Sequence, residues 1–400
     1  MAVVRLKPGH VQPLWAGHPW VYAQAIEAVE GDPTNGAEVS VVDPRGNFLG
    51  RGFFSKGSAI PVRIVAREET SVLDAAFFHA RIARAAARRV DLGLPGGQTG
   101  ESDRATTGFR LVHAEGDELP GLIVDRFGDA YVMQLLTSGM KASEKWIIDA
   151  LIALGAKTIL DRTPATVAKA EGFEPRADTL VHGEALKQLV MMERGLKYRL
   201  PIELGQKTGF YFDQRGLRAR VEELAKGKRV LDAYSYVGAF AMAAARGGAT
   251  HVVSVDESGP AIEVARHTAK ANGLEATIET RKQDARKLLQ ETNAEFDLVI
   301  LDPPRLAPTK SAREGALVAY AKLAEMGCRA TKRGGVLVLC SCSAAVDLTA
   351  LTRSLAIGAM RAGTQAFVVE RHFQGADHPV SAAFGEGLYL KALVARIESR

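Results

Sequence analysis

The spacing of apolar and polar positions changes character along the chain. Up to about residue 67 the runs are short and strand-like. AEVSVVD (37–43), NFLGRGFF (47–54) and AIPVRIV (59–65) are separated by the turn signals DPTNG and DPRGN. This pattern predicts a small β-barrel over residues 1–67, with one helix near HPWVYAQAI (18–26). VLDAAFFHARIARAAARRVDL (72–92) is rich in alanine and arginine and predicts a helix, which Leu94-Pro95-Gly96-Gly97 stops. FRLVHAEGDELPGLIVDRFGDAYVMQLLT (109–137) reads as a hairpin region turning at Asp117–Pro120 and at Phe127-Gly128-Asp129. A helix over about 142–154, a strand at 158–161 and a β-rich stretch over 179–204 complete a small α+β unit, residues 72–205. From about Gly216 strands and helices alternate, which implies βαβ units and a mostly parallel sheet over residues 206–400. AFVVERHF (366–373) and GLYLKALVARI (387–397) read as two strands joined by a short loop, an antiparallel hairpin at one edge.

Composition narrows the class without fixing the function. The 400 residues are 47% hydrophobic and 24% charged, ordinary for a globular protein of two or three domains. The net charge of +5 permits a polyanionic partner but does not demand one. Arg81, Arg84 and Arg88 share a helix face that is either a phosphate-binding stripe or simply solvated. The three cysteines, Cys328, Cys340 and Cys342, are too few for a disulfide framework and point to a reducing compartment. No Cys/His cluster has zinc-site spacing, so no metal is expected. MAVVRLKPGHVQ lacks an apolar signal core, and no apolar run approaches the ~18 residues of a membrane span. A cytoplasmic protein without a membrane partner is expected.

The chemistry concentrates between Val230 and Cys342. Val230-Leu231-Asp232 runs into a turn containing Gly238 and then an alanine-rich helix. The single glycine lets a ligand approach the backbone. It lacks the further glycines of a pyrophosphate-binding loop, so it suits a cofactor without phosphates, such as S-adenosylmethionine. Asp232 is placed to hold that cofactor's amino group. Asp256 ends the next strand, where an acid binds ribose hydroxyls. Asp284 follows the third strand and is placed to accept from the adenine amino group. Any one strand-end aspartate is also a common helix N-cap; it is their order and spacing that points to a cofactor. Asp302-Pro303-Pro304 ends the fourth strand with a carboxylate on a loop that two prolines stiffen. Cys340-Ser341-Cys342-Ser343 closes the fifth. Strand cysteines are usually inert and apolar, which suits Cys340 and also Cys328. Cys342 lies nearer the rim and was expected just before a helix N-terminus, which favours a thiolate.

With these motifs in place, the chain resembles the RlmI-type family of 23S ribosomal RNA cytosine methyltransferases along nearly its whole length. The resemblance is carried by HPWVYAQAI, FRLVHAEGDELPGLIVDRFGD, ELGQKTGFYFDQRGLR, VLDAYSYVGAF, VVSVDES, LDPPRLAPTK, SCS and DHP. It implies a PUA domain, a central α+β domain and a Rossmann-like class I methyltransferase domain. It also implies S-adenosylmethionine as cofactor, ribosomal RNA as partner and Cys342 as the single catalytic cysteine. The expected site is Cys342 and Asp302 for chemistry. For the cofactor it is Phe212, Gln214, Arg215, Asp232, Tyr234, Gly238, Asp256, Asp284, Asp302 and Pro303. A homodimer stays open. Three features depart from the family pattern: Arg305-Leu306 stands in place of Ala-Phe, Tyr234-Ser235-Tyr236 in place of Phe-Cys-Tyr, and the loop 96–107 is long. Two alternatives remain at this level. One is methylation of guanine or of a nucleobase nitrogen, which needs no cysteine. The other is a non-catalytic RNA-binding or assembly factor.

Overall fold

A computed structural model describes residues 1–96, 104–176, 178–205, 208–307 and 309–400; most of the long loop 96–107 lies outside them. Two compact units form. The first holds Met1–Gly195, Leu200–Phe212 and Ala376–Gly387, and the second Leu196–Arg199, Asp213–Gly375 and Leu388–Arg400.

In the first unit, residues up to Ala66 make a six-stranded mixed sheet. Its helix is the single turn Gln12–Trp15, started by Pro13, rather than HPWVYAQAI. That segment forms the short strand Trp20–Val21 and a 3-10 turn at Ala23–Ala25. Proline fixes the backbone of position 19 outside the helix while Trp20 and Val21 pair with Arg63 and Val62. Helix Ala75–Asp91 is capped by Asp74, whose side chain accepts from the Phe77 N–H. It covers a five-stranded sheet that includes Gly108–His113, Leu122–Phe127, Ala130–Leu135 and Thr158–Asp161.

The hairpin motif 109–129 turns out to be structural. Arg110 donates to both oxygens of buried Asp125, and Arg89 makes a two-pronged pair with buried Asp117. Arg81 and Arg84 share Glu118, and Arg88 shares Asp117 with Arg89, so the arginine stripe is tied into ion pairs within the unit but keeps a net positive charge. Residues 376–387 also belong here, although the sequence placed them in the C-terminal domain. The Asp377 carboxylate accepts from the Arg110 N–H, His378 packs on His113, and Phe384 packs on Trp20.

The second unit is built on a seven-stranded sheet. Its strands are β1 (Arg229–Ala233), β2 (His251–Asp256), β3 (Ile278–Lys282), β4 (Phe296–Leu301), β5 (Thr331–Ser341), β6 (Thr364–His372) and β7 (Lys391–Ser399). The order is β3-β2-β1-β4-β5-β7-β6. β3, β2, β1, β4 and β5 pair in parallel, and β7 runs antiparallel between β5 and β6. The central strands are buried on both faces and read as continuous apolar runs, as parallel strands do. Edge strand β6 alternates in exposure instead, and its exposed side carries Gln365, Phe367, Val369 and Arg371. The expected hairpin pairing is present, but its connection is the long segment 373–390 and not a short loop. Proline and glycine in that segment prevent strand extension, and its middle is held by the Asp377 and His378 contacts above.

Candidate cofactor and nucleophile site

Parallel pairing brings the carboxyl ends of β1, β2, β4 and β5 to one edge of the sheet. Ligands bind at that edge in open α/β folds. It gathers Asp232 in β1, Asp256 at the end of β2, Asp302 just after β4 and Cys342 just after β5.

Asp232 is 0% exposed. One carboxylate oxygen accepts from the Ala241 N–H at 2.9 Å, and the other has no protein partner. Burial pushes its pKa up to about 8; the Ala241 hydrogen bond opposes the rise, Asp302 and Asp256 add to it, and Arg218 opposes it. The turn after β1 is backbone-strained: Tyr234, Tyr236 and Gly238 have φ of 64°, 49° and 74°. Two tyrosines in the left-handed region cost energy, and such strain persists only where surroundings enforce it. Here the Ser235 N–H donates to the Val255 carbonyl and the Tyr236 N–H to Asp256. A Cβ at Gly238 would stand 3.1 Å from that of Ala265, so position 238 has little room for a side chain.

Asp256 accepts from the Tyr236 and Ser258 N–H groups, which fixes its carboxylate at the rim. Asp284 caps helix Ala285–Glu291 and pairs with Arg286 at 3.1 Å. The Arg286 hydrogen bond holds its carboxyl below the usual range. Its side chain thus serves as the N-cap of that helix. Tyr234 sits among Arg286, Asp284 and Glu257, and burial pushes its phenol up to about 12. Gln214 is buried with an unpartnered side-chain oxygen, and Arg215 opens helix Arg215–Leu224. The Phe212 ring is buried against Phe127 and Phe210.

The nucleophile end is well braced. Cys342 is half-buried and follows the last residue of β5, Ser341, rather than ending the strand. The next helix in the chain starts only at Leu348 with Asp347 as its cap, so the expected helix does not begin directly after the thiol. The Ser343 hydroxyl accepts from the Ala307 N–H at 3.1 Å, joining the cysteine turn to the loop that begins with Asp302 and buried Pro303. Cys340 is 0% exposed, and burial raises its thiol well above the ordinary range.

The sequence reading missed Arg218, Ser235, Ser254 and Lys391. The first three are buried beside the β1 turn, and nothing in their sequence context marks them. Lys391 did carry a signal, a lone charge in the apolar run LYLKALVA. Buried oxygens of Asp232, Gln214, Ser235 and Ser254 lack protein partners, and three carboxylates crowd one rim. That donor set fits a cofactor that is cationic, polar and free of phosphate. Among the described residues, no group of His, Cys, Asp and Glu could hold a metal ion, and no helix is long and apolar enough to cross a membrane.

Comparison with known proteins agrees with this geometry. A PUA-like domain model matches residues 4–67, and an S-adenosylmethionine-dependent methyltransferase model matches residues 170–393. Fold and match together define the class: an S-adenosylmethionine-dependent methyltransferase of the Rossmann-like kind, with S-adenosylmethionine as its cofactor. Ribosomal RNA large subunit methyltransferase I of Shewanella amazonensis is 37% identical over 400 residues, covering 98% of this chain and 99% of the relative. That of Pseudoalteromonas translucida is 35% identical over 401 residues, 99% of each. The chain belongs to the ribosomal RNA large subunit methyltransferase I family. Among solved structures, SMU.776 complexed with SAH superposes with a TM-score of 0.82 at 20% identity, over 99% of this chain and 100% of that one.

Proposed function

We propose that this protein methylates carbon 5 of a cytosine in large-subunit (23S) ribosomal RNA, using Cys342 as a covalent nucleophile. The observation that carries the reading is the placement of an accessible cysteine at the same rim as the cofactor acids, on a turn hydrogen-bonded to the Asp302 loop. Asp232 would hold the cofactor's amino group, Asp256 its ribose and Asp284 its adenine edge. Gln214, Arg215, Tyr234, Gly238 and Pro303 would line the remainder. When bound, S-adenosylmethionine supplies the methyl group.

Carbon 5 of cytosine is a weak nucleophile. Addition of the Cys342 thiolate to carbon 6 would form a covalent bond and place electron density on carbon 5, which would then take the methyl group as the cofactor's sulfur–methyl bond breaks and its sulfur leaves as a neutral thioether. Loss of the carbon 5 proton to a general base would push electrons back to expel the thiolate and restore the aromatic ring. Asp302 would hold the base edge as charge develops. The target base must leave its stack to enter the site. Purified protein incubated with unmodified 23S RNA and cofactor should yield 5-methylcytosine on nucleoside mass spectrometry; methylguanosine or an N-methylated base would overturn the reading.

Two further results are expected. Asp256→Ala should weaken S-adenosylmethionine binding by roughly 1.5–3 kcal/mol, the scale of a hydrogen bond to a charged group. Unchanged affinity by calorimetry would remove Asp256 from the site. The PUA-like region should contribute RNA affinity. It presents Trp15 at 81% exposure, and residues 1–26 contain no Asp or Glu. Base–aromatic stacking is worth about 1–3 kcal/mol. Trp15→Ala should therefore weaken RNA binding by that scale and leave cofactor binding alone; equal RNA affinity in a gel-shift titration would contradict the role.

A further inference from the structure

Lys391 is a charged side chain at the start of an apolar strand, and it is only 4% exposed. A lysine that deep needs a partner for its ammonium group, because burying a charge alone is expensive. Strand register shows where the partner lies. β7 pairs antiparallel with β5 so that Lys391 stands opposite Ser341, the residue before Cys342. Its Nζ donates to the carbonyl of Ser343, the residue after Cys342, at 3.0 Å. The ammonium thus spans the turn that carries the thiol. The same turn is held from within by the Ser343 N–H to the Ser341 hydroxyl, and from the Asp302 loop by the Ala307 N–H to the Ser343 hydroxyl.

We propose that Lys391 is a positioning residue for the Cys342 nucleophile, fixing its turn and supplying the positive charge beside the thiolate. The inference rests on the reading of Cys342 above, and it supplies what the helix following Cys342 does not, since that helix begins only at Leu348. Burial lowers the Lys391 pKa, Asp347 and Cys342 raise it, and the Arg305 guanidinium lowers it. A thiol that ionises next to the lysine therefore strengthens its hold on the proton. Arg305 is the other cation near the turn, and it is exposed where Lys391 is buried. Asp302 lies at the same rim. Buried Tyr320 lies near Ser341 and Ser343 with its phenol raised mainly by burial. Asp347 is paired with Arg313. Cys340 is raised beyond ordinary titration.

The test needs neither RNA nor turnover. The full-length protein is alkylated with iodoacetamide across a pH series, and the peptide carrying residue 342 is quantified by mass spectrometry. An opposite charge at short range moves a pKa by about 1–3 units. Lys391→Met, close in volume, should lower the alkylation rate at neutral pH by roughly tenfold or more and shift its profile to higher pH. S-adenosylmethionine affinity, the control for folding, should hold. Lys391→Arg keeps the charge and should restore most of the rate, which a purely packing role would not explain; if Lys391→Met does not fold, Lys391→Gln, neutral but still able to donate to the Ser343 carbonyl, takes its place and should show the same shift. A pH profile for Cys342 alkylation identical to wild type in Lys391→Met would overturn the proposal, as would a Lys391→Arg profile shifted as far as that of Lys391→Met. Because the readout is the thiol itself, this failure is distinct from a failure of Cys342 as nucleophile, which is read from methyl transfer by Cys342→Ala.

Discussion

Cys342→Ala should lose methyl transfer by at least about a thousandfold, the scale on which removing a covalent nucleophile acts. S-adenosylmethionine binding should stay nearly unchanged, because the thiol serves the base and not the cofactor. Cys340→Ala is the matched control. Its thiol is two residues away but fully buried, and burial keeps it protonated. That variant should keep substantial activity and lose only a little packing. RNA carrying 5-fluorocytosine at the target should trap a covalent adduct with the wild type, since fluorine does not leave as a proton does. The adduct should map to Cys342 and be absent from Cys342→Ala. Full activity in Cys342→Ala, or an adduct on Cys340, would overturn the mechanism.

The second large effect concerns protons and the cofactor. Burial, with Asp302 and Asp256 nearby, raises Asp232 to about 8, so in the free protein it is protonated at pH 6. A cationic amino group delivered to it favours the ionised carboxylate and expels that proton. Calorimetry at pH 6 in buffers of different ionisation enthalpy should therefore register the release of close to one proton on binding of S-adenosylmethionine. Asp232→Asn should abolish the release and weaken binding roughly 10- to 150-fold, the equivalent of a charge-assisted hydrogen bond. The sign for stability follows from the same shift. A carboxyl whose folded pKa is raised contributes stability that is full below the unfolded carboxylate range and is lost as pH rises towards 8. The ligand-free protein should lose melting temperature over that window, and Asp232→Asn should lose less. Equal proton release in wild type and variant would remove Asp232 from the amino-group role.

How much of this was legible from sequence depends on the kind of information involved. The parallel strands announced themselves because burial on both faces makes their apolar runs continuous, and the acids at their ends lie in order along the chain. The strand pairing that sets Lys391 opposite Ser341 is not visible in a linear pattern, so the lysine read only as an odd charge in a strand. The helix near HPWVYAQAI failed for a local reason: Pro13, not Pro19, starts the helical turn. The hairpin 109–129 was legible as strands and turns, but the buried ion pairs of Arg110 with Asp125 and of Arg89 with Asp117 were not, because the partners are set by register and by a helix distant in sequence. Phe212 sat in the same motif run as Gln214, yet a boundary between the two compact units passes directly after it. Short-range pattern finds elements and their ends; which side chains face one another is decided by register and by contacts between distant segments.

The most direct test of the account is made in cells. 23S ribosomal RNA from strains with and without the gene is mapped for 5-methylcytosine by bisulfite sequencing and by mass spectrometry of fragments. The account predicts one methylated cytosine that disappears with the gene, returns with the wild-type protein and does not return with Cys342→Ala. An unchanged 5-methylcytosine map, or the loss of a methyl group from guanine or a ring nitrogen instead, would contradict it.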